Sequence, residues 1–107
     1  MSIRPKASEV WFADLGIVEK GRPVLVLSYP KPDDARALVI VSPLTSQIRG
    51  MRGEVDLGHP KWLPKRSAVN MQGLASFDRH KLRRRLGTLS AQELGLVKDA
   101  IRDLLGL

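Results

Sequence analysis

Two short apolar runs limit what this chain can become. Val24-Leu25-Val26-Leu27 lies between Pro23 and Tyr29-Pro30, and Ala37-Leu38-Val39-Ile40-Val41 stops at Ser42-Pro43. Uninterrupted apolar runs of this length suit buried strands and are too short for helices. Pro23 agrees with that reading, because a proline can open a strand but not sit inside one. Between the runs, Pro30-Lys31-Pro32-Asp33-Asp34 is a turn. Glu9-Val10-Trp11-Phe12-Ala13-Asp14 reads as an aromatic-rich strand, followed by a loop from Asp14-Leu15-Gly16 to Glu19-Lys20-Gly21-Arg22. Glu54-Val55-Asp56-Leu57 alternates as a half-buried strand does. Gly58 to Lys65 is an irregular basic loop, Ser67 to Met71 another strand, and Gly73 a bulge or turn. Phe77 to Leu82 has the look of one helical turn, and Arg83 to Leu89 of a short strand with a basic face.

The last element is a helix. In Ser90-Ala91-Gln92-Glu93, the serine can accept from the Glu93 amide while Glu93 reaches back to the Ser90 amide. Leu94, Val97, Ile101, Leu104 and Leu105 then share one helical face, and Gly106 suits the end. Gly95 inside it costs about 1 kcal/mol relative to alanine. Several short strands followed by one helix imply a mainly β fold: a small antiparallel barrel or sheet with a C-terminal helix packed on it. With 107 residues, the expectation is a single domain over residues 1–107.

The chain has no cysteine, so disulfides and Cys-based metal sites are excluded. His59 and His80 are its only histidines, and no metal or cofactor is expected. No apolar run approaches the ~20 residues that span a bilayer. The charged start Met1-Ser2-Ile3-Arg4-Pro5-Lys6 lacks the apolar segment of a signal peptide. A cytoplasmic protein without a membrane partner is therefore expected. The net charge of +7 is unevenly placed. Residues 49–85 hold 10 Lys/Arg against 3 Asp/Glu, while the flanking segments are close to neutral. A clustered basic field favours a polyanionic partner, most often nucleic acid. Within it, Arg79 to Arg85 reads either as solvated surface or as a contact to nucleic-acid backbone. Trp11, Phe12, Trp62 and Phe77 read as core or dimer contacts before stacking platforms, with Trp62, in the basic loop, the one placed best for stacking on a base.

The exit from the second run, Val41-Ser42-Pro43-Leu44-Thr45-Ser46-Gln47-Ile48-Arg49-Gly50, has two readings. Thr45 and Ser46 can simply close a side-chain-to-backbone turn. If the two apolar strands are neighbours, Thr45 and Arg22 instead reach one rim. There an arginine with hydroxyl and amide donors can hold a phosphate and stabilise charge developing on it.

Gly21-Arg22-Pro23-Val24-Leu25-Val26-Leu27-Ser28, taken with Ser42-Pro43-Leu44-Thr45-Ser46-Gln47-Ile48, resembles the MazF/PemK family of toxin endoribonucleases. The likeness runs over nearly the whole chain. It takes in Glu9 to Leu15 as the opening strand, Ser67-Ala68-Val69-Asn70-Met71 as a late strand, Leu86-Gly87-Thr88-Leu89 and the terminal helix. The resemblance implies an SH3-like (CcdB/PemK-like) barrel, a homodimer, and metal-independent cleavage of single-stranded RNA at short motifs. It also implies inhibition by a cognate antitoxin, which an acidic peptide would serve by charge. By position, Arg22 and Thr45 match the family's catalytic arginine and threonine. Ser46 and Gln47 match residues lining its RNA groove, and Glu19, Arg49, Arg52, Asn70 and Gln72 are further candidates for RNA contact. The Gly16–Gly21 loop is shorter than usual in the family. Gln72-Gly73 also stands where members often carry an acidic residue followed by Gln. The implied chemistry is attack of the ribose 2′-OH on the adjacent phosphorus, giving a cyclic phosphate and a 5′-OH. Arg22 suits the phosphorane, because it is always charged and forked. Thr45 is a poor base at its normal pKa, so the site relies on positioning and electrostatics. The alternative is a non-catalytic CcdB-like gyrase binder, or a degenerate RNA-binding member of the same fold.

Overall fold

The computed structural model describes residues 4–16 and 21–107. Along the chain they form β1 (Glu9–Ala13), β2 (Arg22–Ser28), β3 (Leu38–Thr45), β4 (Glu54–Asp56), β5 (Ala68–Asn70), β6 (Ala75–Asp78), β7 (Leu82–Thr88) and α1 (Ala91–Leu105). Single 3₁₀ turns at Met71–Gly73 and Arg79–Lys81 lead into β6 and β7. All pairings are antiparallel, in the order β4-β5-β3-β2-β1-β7, with β6 also on β3. This is the mainly β architecture with a C-terminal helix that the sequence implies. Its sheet curls as a barrel does but is not closed by a ladder between β4 and β7.

β3 is the hinge of the architecture. One edge lies along β2. The other pairs with β6 over Leu38 to Val41 and with β5 at Leu44 and Thr45. The strand therefore belongs to two sheets at once, and its two faces feed two cores. Val24, Val26, Val39 and Val41 join Trp11, Ala13 and Leu82 on one side. Leu25 and Leu44 join Val10, Val55, Val69, Met71 and Val97 on the other, where Ile101 and Leu104 of α1 complete the cover. Val24, Leu25 and Val26 are all buried. That explains why β2 reads as a continuous apolar run and not as an alternation.

The helix carries the expected capping box: the Ser90 hydroxyl accepts from the Glu93 amide at 3.1 Å, and Glu93 accepts from the Ser90 amide at 2.8 Å. Gly106 closes the helix in the left-handed region at φ 70°. Leu105, expected on the core face, is 53% exposed. No helix among the described residues is long and apolar enough to cross a membrane. Two local expectations need correcting. Residues 77–82 are not one helical turn: Phe77 and Asp78 end β6, and only Arg79–Lys81 coils. Trp62 is not a free stacking platform. It packs against the core beneath α1, and its indole covers Gly87 so closely that a Cβ there would collide with the ring.

Glu9 is a buried carboxylate that ties three segments together. It accepts from the Lys6 amide at 2.8 Å, from Trp11 Nε1 at 3.1 Å and from Arg85 at 3.2 Å. Burial pushes its carboxyl up, but the Trp11, Lys6 and Arg85 donors outweigh that and hold it below the ordinary glutamate value of 4.5. A pKa lowered by folding means stability that is complete above the unfolded value and lost as pH falls through the folded one. Glu9→Gln is expected to cost about 1–3 kcal/mol at pH 7, the scale of hydrogen bonds to a charged group. The gap from wild type should close as pH falls below 4.5. Urea unfolding of both proteins at pH 7 and at acid pH checks this.

Candidate functional site

β2 begins with Arg22 and β3 ends with Thr45. Their register pairs Val26 with Val41, Leu25 with Ser42 and Val24 with Pro43. Carried two residues further, it sets Arg22 opposite Thr45. Both line one cleft of about 530 Å³, together with Ser46, Gln47 and Lys65. The sequence condition that Arg22 and Thr45 reach one rim is thus met by strand pairing. Gly21 lets the chain enter β2 tightly against β1: a Cβ there would collide with the Phe12 ring and lie 2.8 Å from the Ala13 carbonyl oxygen.

Thr45 does close the local turn, since its Oγ1 accepts from the Gln47 amide at 3.0 Å. That bond uses an oxygen lone pair and leaves the hydroxyl hydrogen to be donated elsewhere. The structural and the chemical readings of Thr45 are therefore compatible. The geometry makes it a hydrogen-bond donor more readily than a base.

Thr45 also borders a second, smaller cavity of about 160 Å³, lined by Gln47, Arg49, Met51, Glu54, Asn70 and Gln72. Strand pairing assembles this wall: Thr45 lies opposite Ala68 of β5, and Asn70 opposite Glu54 of β4. Asn70 accepts from the Gln72 amide at 3.1 Å, and Gln72 Nε2 donates to the Arg52 carbonyl at 2.7 Å. Arg49 donates to Gln47 Oε1 at 3.4 Å. Arg52 lines neither cavity. Its guanidinium latches the end of α1, through Asp103 Oδ2 at 3.1 Å and the carbonyls of Asp103 and Leu104 at 3.3 and 3.4 Å. Glu19 lies outside the described residues.

Glu54 is the residue that sequence reasoning missed. Its Oε1 accepts from the amides of Arg49 and Met51 at 3.1 and 3.2 Å, folding the 47–54 segment against the cavity. It thereby puts a carboxylate in the wall shared with Thr45. Its nine-residue separation from Thr45 carries no motif; the pairing of β4 with β5 and of β5 with β3 brings it in.

The sequence model for PemK-like, MazF-like toxins of type II toxin–antitoxin systems matches residues 6–105. The chain belongs to this family. Among its relatives, the probable endoribonuclease MazF5 of Mycobacterium tuberculosis (strain ATCC 25618 / H37Rv) is 36% identical over 93 residues, covering 84% of this chain and 83% of the relative. The solved Mycobacterium tuberculosis toxin MazF-mt6 superposes with a TM-score of 0.79 at 27% identity, over 92% of this chain and 97% of that one. A MazE-MazF structure from Deinococcus radiodurans gives a TM-score of 0.79 at 27% identity, over 99% of both chains. The PemK/MazF framework accounts for the curled sheet and the terminal helix. The Glu54 contacts are read from this chain's own hydrogen bonds.

Glu54→Ala should release the Arg49 and Met51 amides. Their exchange protection, followed by NMR, is expected to drop about tenfold, equivalent to about 1.4 kcal/mol for a lost charge-assisted acceptor. Unchanged exchange at both amides contradicts this role for Glu54.

Proposed function

We propose that this chain is a toxin endoribonuclease that cleaves single-stranded RNA at short motifs without a metal ion and is held inactive by a cognate antitoxin. The observation that carries the reading is Arg22 facing Thr45 across the β2–β3 rim of one cleft. Family membership and the relative named as a probable endoribonuclease support it. In the proposed reaction the ribose 2′-oxygen attacks the adjacent phosphorus. The O2′–P bond forms, the P–O5′ bond breaks, the 2′-OH proton is lost and O5′ gains one, leaving a cyclic phosphate and a 5′-OH. Arg22 places its fork on the phosphoryl oxygens, where negative charge grows in the phosphorane. Thr45, its lone pair occupied by the Gln47 amide, donates its hydrogen to the same group.

Ser46 and Gln47 extend the donor set along the 530 Å³ cleft. Arg49, Asn70 and Gln72 extend it into the adjoining cavity, where the next nucleotide can be held. Arg52 supports this wall through its carbonyl bond to Gln72. A homodimer belongs to the same proposal. Leu38 and Ile40, 39% and 41% exposed, project from one face of β3 and give a second copy apolar surface to cover. An acidic antitoxin segment would complement the basic surface. A gyrase-binding protein would have no use for the facing Arg22 and Thr45.

Arg22→Ala and Thr45→Val are each expected to lower cleavage of a long single-stranded RNA by about 10²–10³, the effect of losing one donor to a transition state. Thr45→Ser, which keeps the hydroxyl, should retain most activity. The assay contains EDTA, and sequencing of 5′-OH ends reads both the cleavage and its motif. Full activity in Arg22→Ala or Thr45→Val would overturn the site assignment. Loss in EDTA with recovery in Mg²⁺ would overturn the metal-free mechanism.

A further inference from the structure

The basic stretch Arg79 to Arg85 does not join the cleft of Arg22 and Thr45. It walls a second and larger cleft of about 1100 Å³, to which Arg4, Arg79, Arg83, Arg84 and Arg85 all contribute. Among the described residues the two clefts share no lining residue. Tyr29, also in the larger cleft, follows the far end of β2, whose first residue is Arg22. Seven residues of strand, at about 3.3 Å each, separate them by about 23 Å.

This cleft is organised beneath its surface. The buried Glu9 holds both Arg85 and the Trp11 indole N–H. Arg84 lies over the Phe12 ring, 5.2 Å from its centroid, and Arg83 pairs with Asp14 at 3.4 Å. The side chains of Arg4 and Arg79 make no hydrogen bond or ion pair among the described residues. Five arginines thus meet three carboxylates, Glu9, Asp14 and the Asp78 that neighbours Arg79, and the surface stays positive. Its chemistry also limits the ligand. Trp11 and Leu82 are 7% and 8% exposed, which leaves the half-buried Tyr29 and the exposed His80 as the ring faces within a lining dominated by arginines. What it presents are guanidinium forks, which match phosphate oxygens.

We propose that this cleft is a second RNA-binding surface, which grips backbone phosphates remote from the scissile bond and does not read base sequence. It rests on the reading of the chain as an RNA-cleaving toxin and adds to it a site that retains long substrates. Phosphate contacts of this kind position a strand without specifying its sequence. An RNA long enough to occupy both clefts would bind more tightly than one confined to the cleavage cleft.

The test uses single-stranded RNAs of about 30 and about six nucleotides, longer than and within one small-barrel footprint. Their 2′-O-methyl groups block the nucleophile. Binding is measured by fluorescence anisotropy against NaCl concentration. For the longer RNA, the triple variant Arg4→Ala, Arg79→Ala, Arg83→Ala should show a slope of log Kobs against log salt shallower by about 2, the loss of three single-strand phosphate contacts. The six-nucleotide RNA should bind both proteins alike. The corresponding triple lysine variant keeps the charges and should keep the wild-type slope, which separates lost contacts from misfolding. An unchanged slope in the alanine variant, or equal weakening on both RNAs, would overturn the proposal. So would a glutamate-rich peptide whose binding needs the three arginines while the RNA slope does not, which would assign the cleft to a protein. Cleavage of the unmodified 30-nucleotide RNA is scored separately. Cleavage with an unchanged slope removes the second surface alone, whereas a changed slope without cleavage removes the nuclease reading and leaves the phosphate-binding cleft.

Discussion

The register between β2 and β3 is the constraint on which the rest depends. It pairs Val24 with Pro43, Leu25 with Ser42 and Val26 with Val41, and so delivers Arg22 to Thr45. A slip of one residue would turn every side chain of β2 to the opposite face. In most sheets polarity forbids such a slip, but β2 is apolar on both faces and polarity within the run cannot. The ends do that work. Arg22 and Ser28 remain exposed at either end of the buried valines and leucine. An irregularity between Val26 and Ser28 shifts the pairing at one end, while Gly21 pins the other against Phe12 and Ala13. Burial of a valine or leucine is worth about 1.5–3 kcal/mol. Because Val24, Leu25 and Val26 are almost fully buried, the packing that secures the two cores also secures the site.

The same strand explains how a small chain carries two basic surfaces. In sequence, the positive charge of residues 49–85 looks like one block. β3 divides it by pairing with β5 on one part of its edge and with β6 on the other. Arg49 follows β3 to the cavity beside Thr45, while Arg83, Arg84 and Arg85 follow β6 to the far side of β1. Arg52 goes to neither and becomes a latch on the helix end.

Glu9 and Glu54 put carboxylates to work as organisers within this basic chain. Each spends its oxygens on backbone or side-chain donors of a particular segment, Glu9 at the N-terminal arm and Glu54 at the 47–54 turn. Thr45 behaves similarly. Its bond to the Gln47 amide builds the turn and leaves the hydroxyl hydrogen available for the donor role proposed for it. Structure and chemistry at this position draw on different parts of one functional group.

Much of the fold was legible because its signals are local. The capping box, the core face of α1 and the apolar runs of β2 and β3 each declare themselves within a few residues. β6 did not, because Ala75–Asp78 is mostly exposed, lacks alternation, and is a strand only through its pairing with β3. Trp62 looked available to a base because nothing near it in sequence announces that Gly87 would lie beneath its ring. Glu54 gave no sign of its place beside Thr45, since that proximity runs through two further strand pairings. By itself the sequence determined the residue types of the proposed site, the two core strands, the capped helix and the family, all of which rest on local pattern or motif order. Only the tertiary structure decided which polar groups meet and which arginines part company. Those outcomes depend on register and strand order, which couple residues far apart in the chain.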